Sequence, residues 1–210
     1  MVRHRPLADL IGKISGPSRL PASWGLLLSR PVMPLLFSPT SVLAKLLTRY
    51  PKYQTLPRGE RVLLAMAYLC DDVKPRETKG ANRSPAVDAI ILGNGGELGQ
   101  SWCAHSVGFC CRVADVAAPQ WSGAVSEWRQ WADANGKLRE WGGRGLLCFK
   151  KSDGVSHIGI CVESVNLGGT TFIRSIEGNT SNIENGSQDN GEGMYRQQRR
   201  EDWWDGFIEL

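Results

Sequence analysis

Apolar residues recur at helical spacing from Thr40 onward, where Leu43, Leu46 and Leu47 predict a helix over 40–49 with an N-cap-like start. Pro57 opens a second helix from about Arg58 to Leu69, with Val62, Leu63, Met66 and Leu69 on one face. Pro75, Gly80 and Pro85 among many charges make 71–85 a loop. A short helix, Ala86 to Leu92, stops at Gly93-Asn94-Gly95-Gly96. The next, Trp102 to about Ala114, is apolar on most faces and so predicts burial, and another follows at about Val125 to Asn135. From Gly145 the pattern changes to short apolar runs. Leu146–Phe149, Ile158–Val162, Thr170–Ile176, Met194–Gln198 and Phe207–Leu210 predict about five strands, with a long polar turn from Ser181 to Glu192 between the third and fourth. Helices first and strands after predict an α+β domain, N-terminal helices packed on an antiparallel sheet, and no internal repeat is visible.

Composition divides the chain. Of its 25 Lys and Arg and 21 Asp and Glu, eight bases and one acid fall in residues 1–57, leaving 17 bases against 20 acids beyond. The net charge of +4 therefore belongs to a basic, Pro-rich N-terminal arm or helical extension (1–57), and the domain at 58–210 is mildly acidic. Eight dispersed charges without interleaved aromatics do not suit a nucleic-acid site, so no nucleic-acid partner is expected, and docking to another macromolecule is the role left open for the arm. No run of 18 apolar residues predicts a membrane span. The apolar middle of the arm is broken by Pro21, Pro31, Pro34 and Pro39 and lacks a small-residue cleavage site, unlike a secretory signal. Cys70, Cys110, Cys111, Cys148 and Cys161 sit in apolar, regular stretches, as buried free thiols do, which implies folding in a reducing cytoplasm.

Cys103 differs from these five. It follows Gly99-Gln100-Ser101-Trp102 and stands in the first turn of a predicted helix, where free N–H groups and the helix dipole favour negative charge. His157 opens an apolar strand after a polar turn, facing that helix, and Glu177 ends the next strand, with Asn179 two residues on. A thiol, an imidazole and an orienting carboxylate or amide are the parts of a cysteine hydrolase, and either Glu177 or Asn179 could hold the imidazole. The backbone N–H of Cys103 and Gln100 are candidate oxyanion donors, and Trp102, Trp121, Trp128 and Trp131 are candidate groove residues. Trp128 and Trp131 stand at helical spacing, which suits the core at least as well. His105, two residues beyond Cys103 on the same helix, should point away from it. Zinc is the rival use of Cys and His, but no C-x2-C or H-x3-H pair occurs, and no metal or other cofactor is expected.

Gly99-Gln100-Ser101-Trp102-Cys103-Ala104, His157-Ile158-Gly159-Ile160 and Ile176-Glu177-Gly178-Asn179-Thr180 together resemble the CHAP family, amidase and endopeptidase modules of the papain-like NlpC/P60 superfamily. Asn82-Arg83-Ser84-Pro85 and Trp128 with Trp131 fit the same pattern, so the resemblance spans about residues 58–200. It implies Cys103 as nucleophile, His157 as base and acid, Glu177 as the orienting third residue and Asn179 as a fourth polar group. It implies peptidoglycan as substrate, cut at the muramoyl–L-alanine amide or within the peptide stem, by a monomer acting at the bacterial cell envelope. A thiol hydrolase of the same fold acting on another amide, such as an antibacterial effector, and an inactive cell-wall-binding module are the competing expectations. His105 departs from the family pattern, which has a small or apolar residue there.

Overall fold

The first helix starts where the sequence offers a cap. In this computed structural model, which describes residues 36–79, 82–152, 154–181 and 191–210, Ser38 and Ser41 cap each other's backbone N–H and open α1 (Pro39–Arg49). Pro57 precedes α2 (Arg58–Tyr68), which runs on into a π-helical turn, Leu69–Val73, closed by a left-handed Lys74. Ser84 accepts a hydrogen bond from the Val87 N–H to begin α3 (Pro85–Gly93), with Pro85 in the first position. Two further helices follow, α4 (Cys103–Ala114) and α5 (Val125–Ala134).

Six strands form one antiparallel sheet in the described residues: β1 (Leu138–Arg139), β2 (Leu147–Lys150), β3 (His157–Leu167), β4 (Thr170–Thr180), β5 (Gly193–Arg200) and β6 (Gly206–Ile208). Their order across the sheet is β1-β6-β2-β3-β4-β5, so the C-terminal strand inserts beside β2. The α+β architecture expected from the pattern is what forms. The sheet has one strand more than expected, a two-residue strand too short to show alternation. The β3–β4 hairpin also runs further than its apolar core, because backbone pairing continues from Glu163 to Leu167 where the side chains are mostly exposed.

The two sheet faces carry different cores. Leu147, Phe149, Ile158, Ile160, Ile176 and Ile208 face the helices and pack in one buried cluster with α1, α2 and α4. Cys148, Cys161, Ile173, Trp204 and Phe207 form a smaller cluster on the opposite face. Val42 and Leu46 of α1 and Tyr53 beyond it are fully buried in the helix-side core. The packed body thus begins at α1, ahead of the expected boundary at 58, since the amphipathic face of α1 covers α4. The rest of the predicted arm, residues 1–35, and most of the 181–192 turn lie outside the described residues.

Candidate active site

Cys103 is the first residue of α4, and no side chain caps that helix. Its first-turn N–H groups therefore keep the partial positive charge of an open helix end. The thiol is 5% exposed and lies 4.0 Å from the Ser156 carbonyl, immediately before β3. His157, the first residue of β3, is buried. Its Nε2 meets Glu177 Oε2 at 2.9 Å, which leaves Nδ1 for Cys103. Burial opposes the imidazolium, but hydrogen bonding and charge from Cys103 and Glu177 outweigh it and push His157 up to about 9. Burial likewise opposes the Glu177 carboxylate, yet His157 and Arg199 pull it down to about 2.

Strand alternation explains how these groups meet. Glu177 is paired in register with Gly159, so it shares a sheet face with His157 two residues earlier in β3. This is the face turned away from the helices. A Cβ on Gly159 would come within 2.8 Å of Glu177 Cγ, so the glycine makes room for the carboxylate to reach the ring. Arg199 of β5 grips Glu177 through Nε and Nη2 at 2.8–3.2 Å, and the Ser175 hydroxyl donates to Oε1 at 2.6 Å. The guanidinium lies 4.5 Å from the Trp203 ring, and Trp204 lies near-parallel to the His157 ring at 24°. Glu177 and Arg199 are both essentially excluded from water.

A second carboxylate holds the approach to Cys103. Glu77 Oε1 accepts from the Trp102 indole N–H at 3.0 Å, and Oε2 accepts from the Asn82 backbone N–H at 2.7 Å. Asn82 in turn donates to the Gly99 carbonyl, and Arg83 pairs with Asp88 of α3. The Asn82-Arg83-Ser84-Pro85 segment thereby ties α3 to the turn before the thiol. A Cβ on Gly178 would sit 2.6 Å from Ser106 Oγ and 3.0 Å from Trp102 Cζ3, so this glycine lets α4 approach β4 closely.

Cys103, His157 and Glu177 come together; three other expected site residues do not join them as expected. Asn179 leaves the imidazole to Glu177: its backbone is left-handed (φ 53°) at a register shift, and its amide nitrogen faces the Gly191 carbonyl (2.9 Å) and Glu77 (3.2 Å). Trp102 is fully buried with its N–H on Glu77, so it packs in the core. Gln100 turns its Oε1 to the Glu97 N–H and to His105, both at 2.9 Å. Trp128 is also core, its indole N–H on the Ser122 carbonyl, and Trp131 packs edge-on against it, whereas Trp121 is 68% exposed. His105 does point away from the thiol, into a cleft on the far side of α4. Sequence reasoning missed Ser175, Arg199 and Glu77. Ser175 lies two residues before Glu177 and could have been found by strand alternation; the other two depend on contacts across more than 20 residues.

Cys70, Cys110, Cys111, Cys148 and Cys161 are buried free thiols. Among the described residues no three His, Cys, Asp or Glu side chains cluster as a metal site, and no helix is long and apolar enough to cross a membrane. Compared with known proteins, the chain matches no family model, no curated protein and no solved structure.

Proposed function

We propose that the protein is a cysteine amide hydrolase of the papain-like CHAP type, acting on peptidoglycan. The observation that carries this reading is the buried Cys103–His157–Glu177 line, with the thiol at an uncapped helix start and the imidazole held by a carboxylate itself gripped by Arg199. Such an arrangement supplies a thiolate, a proton shuttle and electrostatic support at once. The substrate class rests on the resemblance of the three motifs.

The chemistry divides into two steps. Cys103 as thiolate attacks the amide carbonyl carbon, and the oxyanion forms beside the free N–H groups at the start of α4. The C–N bond breaks as His157 gives its proton to the departing amine, leaving a thioester. His157, now neutral, takes a proton from water, whose oxygen attacks the thioester carbonyl. The acid product departs, and the thiolate–imidazolium pair is restored. Glu177 keeps Nε2 engaged throughout, so the exchanging nitrogen is always Nδ1.

The test is digestion of purified sacculi followed by mass spectrometry of the soluble products. Wild type should release fragments with new amino and carboxyl ends, and Cys103→Ser should release none. Equal release by both, or none by wild type on walls of several peptidoglycan types, would overturn the peptidoglycan hydrolase reading.

A further inference from the structure

The Glu77 carboxylate has no part in the chemistry above, yet it lies at the root of the turn that leads into the nucleophile. Its backbone is fixed to the sheet. The Glu77 N–H donates to the Glu192 carbonyl at 2.8 Å, the Met194 N–H to the Pro75 carbonyl at 3.2 Å, and Arg76 bridges to Gly193 at the start of β5. From this base the side chain receives three donors. Trp102 Nε1 at 3.0 Å and the Asn179 amide nitrogen at 3.2 Å meet Oε1, and the Asn82 N–H meets Oε2 at 2.7 Å. All three are neutral N–H groups, so both oxygens are engaged as acceptors.

Two of these bonds hold the 99–102 turn from both ends. At its start, Asn82, left-handed at φ 58°, donates its side chain to the Gly99 carbonyl at 3.1 Å, where Gly99 itself stands at φ 88°. At its end, the buried Trp102 ring is held by Glu77 through its N–H and packs against Gly178 of β4. Trp102 also supplies the carbonyl of the peptide unit whose N–H belongs to Cys103. That carbonyl accepts from the Ser106 N–H at 2.9 Å, and the Ser106 hydroxyl donates to the Cys103 carbonyl at 2.7 Å. Because the peptide unit is planar, fixing the Trp102 side chain and carbonyl fixes where the Cys103 N–H points.

We infer that Glu77 is a positioning residue for the oxyanion: by holding Trp102 and, through Asn82, Gly99, it aims the Cys103 N–H and takes no part in activating the thiol. The thiol is served separately by His157 of β3, so the two functions can be told apart. The inference rests on the hydrolase reading, whose first step needs an oxyanion donor at this N–H. Glu77→Gln replaces one acceptor oxygen with an NH2 that must face the Trp102 or the Asn82 N–H, so the turn has to shift. A displacement of about 1 Å at a reacting group costs about a hundredfold in rate.

Two reactions of Cys103 separate these roles. Iodoacetamide alkylates the sulfur with loss of iodide and forms no oxyanion. Acetamidoacetaldehyde adds reversibly, sulfur to carbon and the thiol proton to the aldehyde oxygen, which takes the oxyanion's place; protection against iodoacetamide measures this addition. In Glu77→Gln the labelling rate and its pH dependence should stay within about twofold of wild type, while aldehyde protection weakens about tenfold. On sacculi kcat should fall about a hundredfold with KM nearly kept and the alkaline limb of kcat/KM unmoved. Trp102→Phe, which keeps a buried ring and lacks the N–H, should give the same pattern, and it carries the test if Glu77→Gln does not fold. Labelling slowed about tenfold or a moved pH profile would put Glu77 in thiol activation, and unchanged protection would show that it does not aim the N–H; either overturns the inference. If wild type leaves sacculi intact while the aldehyde result holds, the hydrolase reading fails and the role of Glu77 stands. If wild type and Glu77→Gln cut sacculi equally, that role fails and the hydrolase reading stands.

Discussion

Replacing Glu177 with Gln separates the two roles of its carboxylate. The side chain is fully buried and receives His157 at 2.9 Å, Ser175 at 2.6 Å and Arg199 at 2.8–3.2 Å. Gln keeps the shape but strands the Arg199 guanidinium, 3% exposed, without its counter-charge. Breaking a buried pair in this way costs about 3–5 kcal/mol. For a chain of this size that lowers Tm by roughly 6–20 °C, at about 2–4 °C per kcal/mol. Loss of the orienting carboxylate should also cut kcat by about ten-thousand-fold, close to 5 kcal/mol of transition-state stabilisation. The double variant Glu177→Gln/Arg199→Met removes both charges, so it should recover most of the lost stability and none of the activity. The pH profile gives an independent sign. Without the anion beside it the imidazolium is less favoured, so the alkaline limb of kcat/KM moves to lower pH. Thermal melts and a pH–rate series on wild type and both variants check this together. A Glu177→Gln protein as stable as wild type, or with an unmoved alkaline limb, would refute the reasoning.

Three further outcomes follow from the same contacts. His157, raised to about 9 from 6.5, contributes its full stability below pH 6.5 and loses it as pH climbs through 9; Glu177, lowered to about 2 from 4.5, contributes above pH 4.5 and loses its share as pH falls through 2. The Tm gap between wild type and His157→Gln should therefore shrink from pH 5.5 to pH 9.5, and a constant gap would count against the pairing. Iodoacetamide at pH 7.5 should label Cys103 alone in the native protein, because Cys70 is pushed up to about 11 and Cys111 to about 12 by burial, Cys110 and Cys148 are raised for the same reason, and Cys161 is fully buried. His157→Ala should slow that labelling by at least about tenfold, as mapped by peptide mass spectrometry. Gly159→Ala drives a methyl to 2.8 Å from Glu177 Cγ and 2.9 Å from the Ile176 carbonyl, and should cost about 1–3 kcal/mol in denaturant unfolding together with most of the activity.

The helices are legible because what defines them is local: Ser38 and Ser84 cap within three residues, Pro39, Pro57 and Pro85 fix the openings, and apolar spacing marks one face. Strand ends are not. Beyond Val162 the β3–β4 hairpin is held by backbone pairing, with Glu163, Ser164 and Asn166 mostly free of the core, so no alternation announces it. Positive charge misplaces the N-terminal boundary, because it masks the apolar face of α1. Lys45 and Arg49 sit on the open side of the helix whose Val42 and Leu46 are buried.

The site shows the same division more sharply. Cys103, His157 and Glu177 each stand in a short string whose neighbours give the reason for it, and for that reason they can be named from sequence. Choosing between Glu177 and Asn179 cannot be done in that way. In a regular strand, residues 177 and 179 share a face, and both would look toward His157. The left-handed turn at Asn179, a conformation Asn adopts more readily than most residues, breaks the alternation and sends its amide to Glu77 instead. The carboxylate left on the far face then needs a partner, since an isolated buried anion is costly. Arg199 supplies it only because β5 pairs with β4 in the register that sets Ile173 opposite Arg199 and Glu177 opposite Tyr195. A slip of one residue would turn Arg199 to the helix side and leave Glu177 unpaired. The charge that steadies the candidate catalytic histidine is thus a property of strand register, and no window of sequence shorter than the β4–β5 pair contains it.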